Sequence, residues 1–169
     1  MKNEQSTRNL GTCDRLISQL ERELVRGKAN WIADFNESFR DYRVSDITYD
    51  VFIRGNTRVK GFLLSRLFSF FLNPNYEVGC YMHSRGAGKK LNRRDARKII
   101  VTTKDSMAAN NMKWSWLFLF ADDVEEDAKD YLKTVTDQGL AVVAVGTETR
   151  TIVNSGNFLG RQARKFIKV

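Results

Sequence analysis

Trp114-Ser115-Trp116-Leu117-Phe118-Leu119-Phe120 opens the stretch that decides the fold, and Gly139-Leu140-Ala141-Val142-Val143-Ala144-Val145 closes it. Both runs are almost wholly apolar, the pattern of strands buried on both faces of a sheet. Between them Val124, Ala128, Tyr131, Leu132 and Val135 recur at helical spacing. Asp122 or Asp123 is expected to cap a helix over 123–138, with Glu125 or Glu126 completing a capping box. Acid fills the first turn, where the helix dipole favours it. Gly139 is the stop signal. Strand, helix and strand with short joints predict a βαβ unit with parallel strands.

Outward from this unit the pattern stays α/β. Leu16, Ile17, Leu20 and Leu24 mark a first helix over 14–26, ended by Gly27. Trp31, Phe35 and Phe39 recur every four residues and predict a second helix over 31–42. Residues 47–53 alternate and read as a strand. Residues 58–72 read as a helix with a broad apolar face (Phe62, Leu63, Leu67, Phe70), stopped by Asn73-Pro74-Asn75. Strands are expected at 76–82 and, from its β-branched residues, 97–103, with a loop or short helical turn at 107–111. An edge strand over 149–153 and an amphipathic helix over 158–168 close the chain. The expectation is one α/β domain over 1–169. A mixed central sheet flanked by helices (46–169) follows an N-terminal helical extension (1–45), which packs on the sheet or forms a homodimer face.

Composition narrows the function. Cys13 and Cys80 are far apart and lack a CxxC partner, so neither a disulfide framework nor a zinc site is indicated. His83 is the only histidine, and a Ser-His-Asp triad would have to run through it. The polar N-terminus has no apolar signal core. The most apolar stretch, 61–72, is too short to span a bilayer and is broken by Arg66. A soluble cytoplasmic protein without a membrane partner is expected.

The net charge of +8 is concentrated. Residues 83–98 hold Arg85, Lys89, Lys90, Arg93, Arg94, Arg97 and Lys98 against Asp95 alone, a balance of +6. Residues 158–169 hold Arg161, Arg164, Lys165 and Lys168 with no acid, a balance of +4. The rest of the chain carries 17 basic against 19 acidic residues. Clustering on a near-neutral body points to an acidic partner, most often nucleic-acid phosphate. The DNA- or RNA-binding residues expected are the seven of the first segment with Arg161, Arg164 and Lys165, and Tyr81 and Trp114 are candidate stacking residues. An acidic protein is the alternative partner of such a segment.

Gly86-Ala87-Gly88-Lys89-Lys90 lacks the leading Gly and the trailing Ser or Thr of a phosphate-binding NTPase loop, and no GxGxxG occurs. Asp122 and Asp123 sit where α/β folds place ligands. Thr147, Thr149 and Arg150 follow the other buried strand within reach of a phosphate. Asn154-Ser155-Gly156-Asn157 leads into the last helix and is a candidate phosphate seat.

The predicted order helix (58–72), strand, strand, strand, helix, strand (140–145) resembles the core of the restriction-endonuclease-like, or PD-(D/E)xK, superfamily. The closing stretch from Gly139 through Asn154-Ser-Gly-Asn-Phe into a helix with Ala163 and Phe166 is similar to the end of the methyl-directed restriction endonucleases. The resemblance covers about residues 58–169. It implies Mg²⁺ held by an Asp early in the second core strand and by an acid-x-Lys on the third. Asp95 is the nearest match to the first position. The third strand, Leu117 to Asp122, has no acid-x-Lys. A nuclease would therefore rely on Asp95 and on Asp122 or Asp123 for Mg²⁺, with a nearby Lys such as Lys98 or Lys104. A degenerate relative that binds without cutting, and needs no cofactor, is the principal expectation.

Overall fold

The computed structural model describes residues 2–57 and 76–168, with side chains from residue 11 onward. The expected helix at 58–72 lies outside the described residues. The elements are α1 (Lys2–Val25), β1 (Ala33–Val44), β2 (Ile47–Thr57), β3 (Glu77–Ser84), β4 (Lys90–Leu91), α2 (Arg93–Ala109), β5 (Trp114–Ala121), β6 (Asp123–Val124), α3 (Glu126–Thr134), β7 (Leu140–Gly146), β8 (Thr151–Asn154) and α4 (Phe158–Arg164). Six strands form one mixed sheet in the order β1-β2-β3-β5-β7-β8, and β4 and β6 form a small second sheet. Among the described residues no helix is long and apolar enough to cross a membrane.

The βαβ unit is as expected. β5 and β7 pair in parallel, with Ser115 opposite Leu140 and Ala121 opposite Gly146. Every residue of both strands is buried. Their side chains nevertheless divide between two cores. Trp114, Trp116, Phe118 and Phe120 face α1 and α4, while Leu117, Leu119 and Ala121 face α2 and α3. α3 is shorter than expected, and its N-cap is Glu125, which makes no side-chain capping bond. Asp122 and Asp123 are engaged elsewhere and leave the cap to the chain behind them.

Two elements change type. The segment 31–42 is not a helix; it becomes β1, which pairs antiparallel with β2 from Ala33–Thr57 to Val44–Ile47. A spacing of four is also a multiple of two, so Phe35 and Phe39 fit one face of a strand as well as a helix. The two-residue turn Ser45-Asp46 closes the hairpin with Ser45 at φ 53°, the left-handed region such turns use. The N-terminal 45 residues are thus a helix plus an edge strand of the main sheet.

The segment 97–103 is not a strand but the middle of α2. Its β-branched run suggested a strand, yet Ala96, Ile99, Ile100, Thr103 and Met107 are buried at helical spacing. The Asn92 side chain accepts the Asp95 N–H at 2.8 Å and starts the helix. Packing of that face against β5, together with the cap, outweighs the small cost of β-branched residues in a helix. α2 also takes in 107–109, in keeping with the helical turn that was one of the two expectations there.

Candidate nucleic-acid interface

The first basic segment is two structures joined at a cap. Its first half crosses the carboxyl ends of the parallel strands. Arg85 N–H donates to the Phe120 carbonyl at 2.9 Å, and Asp122 N–H donates to the Lys89 carbonyl at 3.1 Å. Gly86 and Gly88 stand at φ +78° and +77°, positions that favour glycine. The Gly88 N–H donates to the Asp122 carboxylate at 2.5 Å. β4 then pairs in parallel with β6, matching Lys90 to Asp123 and Leu91 to Val124. Leu91 is buried, so the loop is pinned at both ends and presents Lys89 and Lys90 outward.

The second half is the outer face of α2. Ala96, Ile99 and Ile100 point inward, which turns Arg93, Arg94, Arg97 and Lys98 to solvent. These four line an open groove of about 590 Å³ with Val101, Thr102 and the acid Asp127. Val101 is half exposed. Arg93 lies over the Tyr131 ring, 5.6 Å from its centroid, and Lys98 pairs with Asp46. Lys90 faces Asp123 at 3.6 Å. Arg85 is drawn inward to Asp95 at 2.7 Å and acts as a strut between loop and helix. Lys89, Arg94 and Arg97 have no ion-pair partner among the described residues.

The second basic cluster is not part of this surface. Leu159, Ala163 and Ile167 of α4 and the residue behind it join the core on the α1 side, whereas α2 packs in the other core. Arg161, Arg164 and Lys165 are exposed on the opposite face of the sheet from Arg94 and Arg97. The amino end of α4 is closed by Asn157, whose side chain accepts from Gly160 N–H at 2.7 Å and donates to the carbonyls of Leu140 and Asp137. The expected phosphate seat is filled by the protein's own side chain. Tyr81 and Trp114 are fully buried, so neither presents a ring for stacking. Thr149 donates to Asp123 at 3.0 Å and Thr147 to the Ala121 carbonyl at 3.2 Å, tying that turn to the end of β5.

The carboxylates are dispersed. Asp95 is in the first turn of α2 and pairs with Arg85; Asp122, buried at the end of β5, holds the loop. Asp50, which no motif in the sequence marks, accepts the Ser84 N–H at 2.5 Å and the Ser84 hydroxyl at 3.0 Å. Cys13 of α1 comes near this end of the sheet. Burial pushes its thiol up against the opposing hydrogen bond from Thr147, and the carboxylates of Asp122 and Asp50 add to the rise. It is a protonated, unreactive thiol at neutral pH. His83 places Nδ1 2.9 Å from the Thr48 carbonyl, so Nδ1 carries the proton, and burial lowers the pKa of the ring. No group of three His, Cys, Asp or Glu side chains among the described residues is placed to hold a metal ion. Asp95 and Asp122, the pair implied for Mg²⁺ by the resemblance, are each held by another partner, the Arg85 guanidinium and the Gly88 N–H.

No family model matches the chain, and neither a curated protein nor a solved structure matches it.

Proposed function

We infer that this chain is a nucleic-acid-binding module that grips the phosphate backbone with the pinned loop 85–92 and the outer face of α2. One observation carries the reading: Lys89, Arg94 and Arg97 are exposed and unpaired among the described residues, on a loop and a helix fixed to each other. A basic surface held for solubility alone has no need of such a mount. Rigid placement lowers the entropy lost when a polyanion binds, and phosphate contacts supply most of the affinity of such modules.

The element order supports a restriction-endonuclease-like scaffold, one frame earlier than the sequence suggested. Over the described residues, α1, the antiparallel pairs β1-β2 and β2-β3, α2 and the parallel β5 follow a helix, strands, helix, strand order, with the two-residue β4 added between β3 and α2. In that frame the second strand supplies Asp50. The third brings His83 and Ser84 beside it, with no acid-x-Lys. The acid and the Lys that the superfamily chemistry requires are missing, which favours binding without cutting.

The test is binding of labelled single- and double-stranded DNA and RNA at two salt concentrations, with and without Mg²⁺, the products run on a denaturing gel. Salt-sensitive binding with intact product is expected. Mg²⁺-dependent shortening would replace this reading with a nuclease. Absence of binding at low salt would leave an acidic protein as the partner.

A further inference from the structure

α1 buries Cys13, Ile17, Leu20 and Leu24, spaced by four, three and four residues. Arg15, Gln19, Arg22 and Arg26 repeat the same spacing two residues on and are exposed. Two residues are about 200° of helix, so this stripe points straight away from the sheet. Arg22 and Arg26 line a groove of about 310 Å³ with Gln19, Glu23 and Lys28. The acid in that groove is answered by Lys28 at 2.5 Å.

α4 lies on the same side of the sheet. Just past its end, Phe166 packs against Trp116, with ring centroids 5.2 Å apart. Arg161, Arg164, Lys165 and Lys168 are exposed, and no acid lies between Phe158 and Val169. The end of α4 approaches the end of α1 closely enough for Lys168 to help hold the Glu23 carboxyl below its ordinary range, after the larger effect of Lys28. On this side of the sheet the α1 arginines stand beside exposed Asp14, with Glu21 and Glu23 paired to Arg40 and Lys28, and the acid-free end of the chain supplies the larger share of the positive charge.

We propose that this α1–α4 face is a second nucleic-acid-backbone surface, so that one chain holds two segments at once, one on each side of its sheet. The inference rests on the binding reading given above for α2. Helices of about 10 Å diameter on both sides of a sheet put the two basic faces roughly 30 Å apart. That exceeds the screening length of about 10 Å at 0.1 M salt, so each face attracts its own polyanion. A rigid duplex cannot follow both faces around the molecule. Arg15 to Arg26 runs about 16 Å along the helix axis, a linear row suited to a phosphate strand. A membrane-seeking helix would carry large apolar residues beside its cations, and among the described residues of α1 the exposed one is Val25.

The test uses the full chain with one duplex immobilised and a second, labelled duplex in solution, at about 50 mM salt where phosphate contacts are strong. Wild type is expected to capture the labelled duplex. The variant Arg22→Glu/Arg26→Glu/Arg164→Glu/Lys165→Glu is expected to bind one duplex and to lose capture by about tenfold or more. Arg94→Glu/Arg97→Glu is expected to behave likewise through the other face. Capture unchanged in the first variant overturns the proposal, as does wild type that binds one duplex and captures none. If the first variant binds no duplex at all while the second still does, the α2 reading fails and a single site lies on α1–α4. Loss of anionic-vesicle binding by the first variant, with capture intact, would reassign the face to a membrane surface and sink the proposal.

Discussion

The buried carboxylate of Asp122 accepts the main-chain N–H of Gly88 at 2.5 Å, and the Asp122 N–H returns a bond to the Lys89 carbonyl at 3.1 Å. This reciprocal pair clamps the basic loop to the end of a central strand. Asp122→Ala leaves the Gly88 donor without its acceptor, at a cost of about 1–3 kcal/mol. The denaturant midpoint should fall accordingly. Tryptic cleavage after Arg85, Lys89 or Lys90 should accelerate in the native protein, because the loop loses its anchor before the sheet unfolds. Asp122→Asn keeps an acceptor oxygen and should recover most of both. Unchanged cleavage in the alanine variant would show that β4 and β6 hold the loop without Asp122.

Phosphate contact is read most directly from salt. Each phosphate neutralised on duplex DNA contributes about 0.9 to the slope of log affinity against log salt. Arg94→Ala/Arg97→Ala should therefore weaken binding and flatten the slope by about 1.8. Arg85→Ala should act differently. It breaks the strut to Asp95 and should lower stability while the slope changes less. A slope that ignores Arg94 and Arg97 would remove α2 from the interface.

The imidazole of His83 is held neutral by burial, with Nδ1 donating to Thr48. Its folded pKa lies below the ordinary value of 6.5. Well above 6.5 the ring is neutral in both folded and unfolded chains and gives no pH dependence. As pH falls below that value the unfolded chain takes up the proton first, so the folded state loses stability until its own lower pKa is passed. The difference in stability between wild type and His83→Gln should drift with pH in this window and flatten about one unit above the ordinary value. Denaturant melts at half-unit pH intervals measure it. A flat difference throughout would mean that the ring titrates normally in the fold.

The βαβ unit was legible because strands buried on both faces leave unbroken apolar runs, and few other structures do. β1 was not, since the spacing of Phe35 and Phe39 fits periods of both two and 3.6. Its turn, Ser45-Asp46, also lacks the Asn-Gly signal that announces a hairpin. α2 was hidden by Ile99 to Thr103, although its start was written in Asn92 and Asp95, three apart. The basic positions could be counted from the sequence, but not their facing. Arg85 points inward and Arg94 outward because one meets Asp95 and the other lies opposite the buried side of a helix. That α4 sits across the sheet from α2 follows from strand order, which no local pattern carries. The α1 stripe was readable, since Arg15, Arg22 and Arg26 share the helical spacing of the buried leucines.

Asn92 is the N-cap of α2, with extended backbone at φ −99° and ψ 169°, and its side chain takes the Asp95 N–H. Asn92→Ala should cost about 1 kcal/mol, and Asn92→Asp or Asn92→Ser should restore most of it. The same cap aims Arg93 and Arg94, which follow it directly. The alanine variant should therefore bind nucleic acid more weakly than its small loss of stability explains, at a temperature where it remains folded. The aspartate variant adds a negative charge beside Arg93, so it should regain stability without regaining all of the affinity. If both variants bind like wild type, the first turn of α2 does not touch the ligand, and contact must centre on Lys89, Lys90 and Arg97.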